Sequence, residues 1–200
     1  MGPVSAKADL RRAARVRRRG LAADLDREAA AEAIATTVLR IVPAGARTAA
    51  YLSLPEEPPT GRLVDALLEA GHEVIVPITL GDFTLEWTYA AHGAVADVAR
   101  VARGTVPEGT AVLGPESLAT CGLIVVPGLV VDTRGARLGQ GGGCYDRALR
   151  HRRPGTPVVA LLHEGEESEE LLPLEAHDQL VDGYVTTSGR LVWLRGEPPG

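Results

Sequence analysis

Four glycines fall within five residues, at Gly139, Gly141, Gly142 and Gly143, and they join an apolar run to a short helical pattern. The run Leu123-Ile124-Val125-Val126 has no polar position, so it reads as a strand buried on both faces. Downstream, Asp146 to Arg152 reads as a helix stopped by Pro154-Gly155. A glycine loop between a strand and a helix start is suited to an anion. Glycine lets bare N–H groups turn toward a phosphate, and the helix start adds partial positive charge. The loop matches neither common phosphate motif. A GxGxxG begun at Gly139 would need glycine where Cys144 stands, and the Lys-Ser/Thr pair of a P-loop is missing. The alternative is a surface turn, against which the flanking Arg137 and Asp146 count.

The rest of the chain alternates strands and helices. Ser5 to Gly20 predicts a first helix, with Ser5 as N-cap and Gly20 as stop. Asp24 to Arg40 predicts a second, closed by Pro43 and Gly45. Thr48 to Leu54 reads as a strand, Thr60 as the cap of a helix carrying Leu63, Leu67 and Leu68, and Glu73 to Pro77 as the next strand. This is a β-α-β unit, whose default is parallel pairing through a right-handed crossover. Thr84 to Tyr89, Pro157 to Leu162 and Val181 to Thr186 read as further strands, and Val95 to Arg103 as a short helix. The expected fold is α/β: a three-layer αβα sandwich with a mainly parallel sheet. A single domain is expected over residues 1–196, with a loose tail over 197–200. In such sheets ligands bind beyond the carboxyl ends of strands, which makes the loops after Leu54, Val126 and Val185 site candidates.

Bulk composition narrows the function classes. With 200 residues the chain is long enough for one proper core. A net charge of −5 argues against a nucleic-acid binder, and no apolar stretch reaches the length of a membrane span. No secretory signal is legible, and Cys121 and Cys144 show no metal-ligand spacing. A cytoplasmic monomer acting on small molecules is expected. The charge is unevenly placed, since seven of the 21 cations lie in the first twenty residues. Lys7, Arg11, Arg15 and Arg18 share one helical face. A solvated face, a transit peptide and a phosphate partner all fit that stripe. Asp9, Asp24 and Glu28 count against the transit peptide. Lys7 is the only lysine in the chain, which is read either as chance in an arginine-biased composition or as a place where a compact ammonium is wanted.

Taken in order, these pieces resemble the 5-formyltetrahydrofolate cyclo-ligase family. The family's N-terminal pattern is matched by Lys7-Ala8-Asp9-Leu10-Arg11, and its strand and turn by Tyr51-Leu52-Ser53, Glu57 and Thr60. Its signature is matched by Pro127-Gly128, Asp132, Gly135-Ala136-Arg137-Leu138-Gly139 and Tyr145-Asp146-Arg147. A closing pattern appears at Pro173, His177-Asp178, Asp182 and Thr186.

The resemblance implies a fold of the sugar-phosphate isomerase and CoA-transferase type. It also implies an ATP- and Mg2+-dependent ligase that cyclises 5-formyltetrahydrofolate to 5,10-methenyltetrahydrofolate and releases ADP and phosphate. ATP positions carry over to Lys7, Ala8, Asp9, Leu10 and Arg11. They continue at Arg137, Leu138, Gly139, Gln140, Gly141, Gly142, Gly143, Cys144 and Tyr145, with Arg137 and Lys7 catalytic. Folate positions carry over to Leu52 and Glu57, and magnesium positions to Asp146 and Asp182. Trp87 is a candidate to stack on the pterin, against the ordinary reading of a strand aromatic as core. Gln140 and Cys144 depart from the family pattern, where many relatives carry a larger basic or polar residue and a tyrosine. Activating a formamide needs charge neutralisation and positioning more than a nucleophile. Accordingly, no Ser-His-Asp or Cys-His arrangement is legible.

Overall fold

The computed structural model describes residues 3–92 and 111–196. An eight-stranded sheet runs in the order β11-β10-β8-β5-β1-β2-β3-β4. Its central strands are β1 (Arg47–Ala49), β2 (Val74–Thr79), β5 (Cys121–Pro127), β8 (Val158–Leu162) and β10 (Gly183–Thr186), all mutually parallel. The edges are antiparallel: β3 (Leu85–Tyr89) and β4 (Val112–Leu113) on one side, β11 (Leu191–Trp193) on the other. The sheet is therefore parallel where it is covered on both faces and antiparallel where hairpins end it.

Period-two alternation distributes each central strand between two cores. Leu123, Val125, Val159 and Leu161 face α2 (Arg27–Leu39) and α3 (Gly61–Glu69), meeting Ile34, Val38, Leu63 and Leu67. Ile124, Val126, Val158, Ala160 and Leu162 face the other way, against Leu118 and against Ala148 and Leu149 of the segment after the glycine loop. Each fully buried Leu, Ile or Val contributes about 1.5–3 kcal/mol, so these two layers dominate the fold's stability.

A second, three-stranded sheet of β6 (Val130–Asp132), β7 (Arg137–Leu138) and β9 (Glu167–Ser168) stands beyond the carboxyl end of β5. Helix α1 (Pro3–Ala23) packs on it through Ala14, beside Leu129, Val130 and Leu138. Helix α4 (Cys144–Ala148) follows the glycine loop, and a 3-10 turn at Leu149–His151 completes the predicted Asp146–Arg152 segment.

Several expected boundaries move, each for a local reason. Helix α1 runs through Gly20 to Ala23, and Ser5 lies inside it. A Cβ at Gly20 would meet nothing, so that glycine is merely tolerated. Asp26, not Asp24, caps α2 by accepting from Ala29 N at 3.1 Å. Strand β1 ends at Ala49 rather than Leu54. Beyond it Ser53 N donates to Thr60 Oγ1 (2.9 Å) and Thr60 N donates to Ser53 Oγ (3.2 Å). This reciprocal pair closes the loop that carries Glu57, so the Thr60 hydroxyl holds the loop instead of capping α3. The predicted helix at 95–103 and the tail over 197–200 lie outside the described residues.

Candidate active site

A cavity of about 350 Å3 opens beyond the carboxyl ends of β2 and β5, between α1, the glycine loop and the 172–178 segment. Its walls are built by a few local rules. On α1 the residues Lys7, Arg11 and Arg18 are spaced by about whole helical turns and face inward. Ala8, Asp9 and Leu10 point outward, and Asp9 pairs with Arg12 at 2.6 Å. Two of the five expected ATP positions on this helix therefore reach the site.

The cationic stripe is not a solvated face. Lys7 is 6% exposed and lies 2.7 Å from Asp178 and 3.1 Å from Glu175. Burial alone would pull its ammonium pKa down, but hydrogen bonds to Asp178 and Glu175 outweigh it and the pKa is raised. Reciprocally, burial would raise the Asp178 carboxyl, but the bonds from Lys7 and from Glu175 N hold it below the usual range. Arg11 Nε donates to Gly139 O (3.1 Å), and Arg15 donates to Gln140 Oε1 (2.9 Å) and Gln140 O (2.7 Å). Arg18 is 2% exposed, forms a two-pronged pair with Glu166 (2.7 and 2.6 Å) and also donates to Gly128 O.

The glycine loop is thereby held by arginines. Arginines take the carbonyls of Gly139, Gln140 and Gly142, the last through Arg147, which also donates to Phe83 O. Each peptide plane so fixed turns its following N–H the opposite way. Gly143 adopts φ +66° at the head of α4, a conformation that disfavours any side chain. The signature's Asp132 and Gly135 serve the frame. Asp132 is 1% exposed, accepts from Arg134 N, Ala136 N and Leu172 N, and so pins the β6–β7 turn. Gly135 has φ +83°, and a Cβ there would lie 2.2 Å from Val181 O.

Arg137 crosses the floor. Its Nη1 donates to Pro127 O (3.2 Å) and its Nη2 to Asp146 Oδ1 (3.2 Å), while Nε is buried without an acceptor among the described residues. Its guanidinium lies 5.8 Å from the Tyr145 ring centroid. Asp146 Oδ1 also accepts from Gln179 N (3.1 Å). The segment at 175–179 is thus tied to α1 through Lys7 and to the glycine loop through Asp146.

Opposite these cations stands Glu57, 6% exposed, its Oε2 accepting from Leu54 N at 2.9 Å. Burial raises its carboxyl pKa, opposed by the Leu54 N–H and by Arg18. Burial likewise drives the Tyr145 phenol pKa up. Pro77, Thr79 and Leu85 of the β2–β3 hairpin complete the wall.

Three sequence expectations are corrected here. Trp87 has no exposure and packs among Ala49, Ile75 and Ile124, so it belongs to the core and does not face the cavity. Leu52 packs against the first core with Tyr51, outside the cavity lining. Asp182 stands before β10 at the amino end of the sheet, where its carboxylate accepts from Val158 N (2.9 Å). It is on the wrong side of the sheet to act with Asp146. Asp178, four residues earlier, lines the same cavity as Asp146. Glu166 was missed as well, because four other glutamates lie between residues 164 and 170 and only the fold selects the one that meets Arg18.

Comparison with known proteins is decisive about family. The model of the 5-formyltetrahydrofolate cyclo-ligase family matches residues 3–187. The chain belongs to that family. It is a ligase. A 5-formyltetrahydrofolate cyclo-ligase from Mycolicibacterium smegmatis is 32% identical over 200 residues, covering 98% of this chain and 100% of the relative. The NMR structure of 5,10-methenyltetrahydrofolate synthetase from Aquifex aeolicus superposes with a TM-score of 0.71 at 25% identity, over 96% of this chain and 94% of that one. A 5,10-methenyltetrahydrofolate synthetase from Mycoplasma pneumoniae shares the fold, with a TM-score of 0.66 at 15% identity over 92% and 99% of the two chains. No helix among the described residues is long and apolar enough to cross a membrane.

Proposed function

We propose that this ligase converts 5-formyltetrahydrofolate to 5,10-methenyltetrahydrofolate at the expense of ATP. The observation that carries this reading is the meeting, in one cavity, of Lys7, Arg11 and Arg137 with a glycine loop whose carbonyls at Gly139, Gln140 and Gly142 are held by arginines. A formamide is a poor electrophile with a poor leaving group. Transfer of the γ-phosphoryl to the formyl oxygen breaks its bond to ADP and makes that oxygen a good leaving group. The folate N10 then closes on the formyl carbon and releases its proton to solvent, and phosphate departs as the C–O bond breaks. Such chemistry is catalysed by positioning and by charge neutralisation.

In this reading Arg137 meets the transferred phosphoryl group. Its buried Nε lacks an acceptor among the described residues, which supports an incoming oxygen as its partner. Lys7 and Arg11 supply charge from the opposite wall. Glu57 presents a desolvated carboxylate to the N–H groups of a pterin, and Tyr145 a phenolic donor. The residues present also fit magnesium. That ion takes one or two carboxylates and fills its remaining positions with phosphate oxygens and water. Asp146 and Asp178 are the two carboxylates that would hold it, and no group of three or more His, Cys, Asp or Glu suited to a metal occurs among the described residues. When bound, it would neutralise charge on the phosphates.

The test is the rise of methenyl-folate absorbance with Mg-ATP, with ADP and phosphate formed in equal amounts. Arg137→Ala should lower kcat/KM by about a hundredfold or more, as loss of a preorganised charge donor does. Binding of ATP with no turnover in the intact protein would sink the proposal and leave a nucleotide-binding relative without catalysis.

A further inference from the structure

The opposite end of the sheet carries a second recess, between the leading residues of β1, β5, β8 and β10 and the start of the segment after β11. Its volume is about 800 Å3. Four arginines line it, Arg47, Arg152, Arg153 and Arg195, against two carboxylates, Glu73 and Asp182. One carboxylate is already committed: Glu73 pairs with Arg47 at 3.1 Å, and Arg47 also donates to Thr120 Oγ1 at 2.8 Å. Asp182 Oδ2 accepts from Val158 N and lies 3.6 Å from Arg152 Nη1, beyond hydrogen-bond distance. Arg153 and Arg195 are exposed at the rim.

Two donor atoms in this recess lie buried with no acceptor among the described residues: Arg152 Nη1 and Trp193 Nε1. Both can only donate. A buried donor without an acceptor costs about 1–3 kcal/mol, so a recess lined by two residues that each keep one is complementary to an acceptor. The surplus of guanidinium groups makes that acceptor an anion, and the planar fork of Arg152 suits two oxygens on one atom.

We propose that the recess binds a small oxyanion, held by Arg152 and Trp193 and screened at the rim by Arg153 and Arg195. The shared chemistry is a phosphate or carboxylate group. The site is separate from the folate and ATP reading and does not depend on it, since it lies across the sheet from the cavity that holds Lys7 and Arg137.

The chain contains two tryptophans, which makes the test direct. In protein labelled with 15N at the indoles, Trp193 reports on the recess and the core residue Trp87 serves as the internal reference. Titration with inorganic phosphate, with glutarate, and with chloride at matched ionic strength separates the sources. The Trp193 indole signal should move saturably with phosphate, glutarate or both, while Trp87 stays still. Phosphate alone would identify a phosphate-bearing ligand, and glutarate alone a carboxylate. Arg152→Gln should weaken the effect about tenfold or more, as loss of a charge-assisted bond does. Arg152→Lys, which keeps the charge beside Asp182, serves if the glutamine variant folds poorly, and should weaken binding less. No saturable shift with either probe, an equal shift with chloride, or a shift undiminished in both variants would overturn the proposal.

Discussion

At the carboxyl end of the sheet the side chains of Lys7, Arg18 and Arg137 are 8, 2 and 3% exposed, and each is paired with a carboxylate, for Lys7 and Arg18 one from a distant part of the chain. At the amino end Arg47 and Arg152 are 20 and 22% exposed, and Arg153 and Arg195 stand in solvent. The first group is preorganised because a charge taken from water must be met by an opposite charge, and that partner then fixes its position. The second holds its carboxylate more loosely, with Arg152 Nη1 3.6 Å from Asp182 and beyond hydrogen-bond distance. Cations thus serve as fixed machinery at one end and as a looser rim at the other.

The largest effect should come from breaking a buried pair. Glu166→Gln leaves Arg18 desolvated beside Gly128 and should cost about 3–5 kcal/mol of unfolding free energy in a urea titration. A loss below about 1 kcal/mol, the range of exposed pairs, would erase the distinction between the two ends. Next is Lys7→Ala, which should lower kcat/KM for ATP about tenfold or more while the circular dichroism spectrum is unchanged. An unaltered ATP dependence would mean that Lys7 only anchors the 175–178 segment.

A paired experiment then contrasts the two ends directly. Asp178→Asn should raise the magnesium concentration for half-maximal rate about tenfold, within the range seen when groups around a metal are altered. Asp182→Asn should leave it unmoved. The reverse outcome would restore Asp182 as a metal residue and break the assignment of the cavity.

The smallest effect concerns Glu57. Its pKa is raised in the folded state, chiefly by burial, so its contribution to stability is present below the ordinary value of 4.5 and fades as pH rises through the higher folded value. Glu57→Gln removes that dependence and can still accept from Leu54 N. The variant should therefore gain stability relative to the intact protein as pH climbs from acid toward neutral. Parallel stability–pH curves would show that the carboxyl is not desolvated.

Much of the frame was legible beforehand. Apolar runs such as Leu123–Val126 announced strands buried on both faces, and the glycine loop announced a turn that lines the cavity at a strand end. Lys7 stood out by being alone of its type. Trp87 was misread because a strand aromatic looks the same whether it faces a core or a cavity, and register decides which. Asp182 was misread because two aspartates four residues apart, Asp178 and Asp182, carry the same chemistry, and only the path of the chain assigns them to opposite ends of the sheet.

Local chemistry alone determined the order of elements, the glycine loop with its flanking charges, and the face of α1 that bears Lys7, Arg11 and Arg18. These depend on hydrophobic period, turn residues and helical spacing, which act over a few positions. The tertiary structure decided which carboxylates meet those cations: Glu166 reaches Arg18 across 148 residues and Asp178 reaches Lys7 across 171. A charge identifies its partner only once both have been removed from water at the same place, and no short-range pattern encodes that meeting.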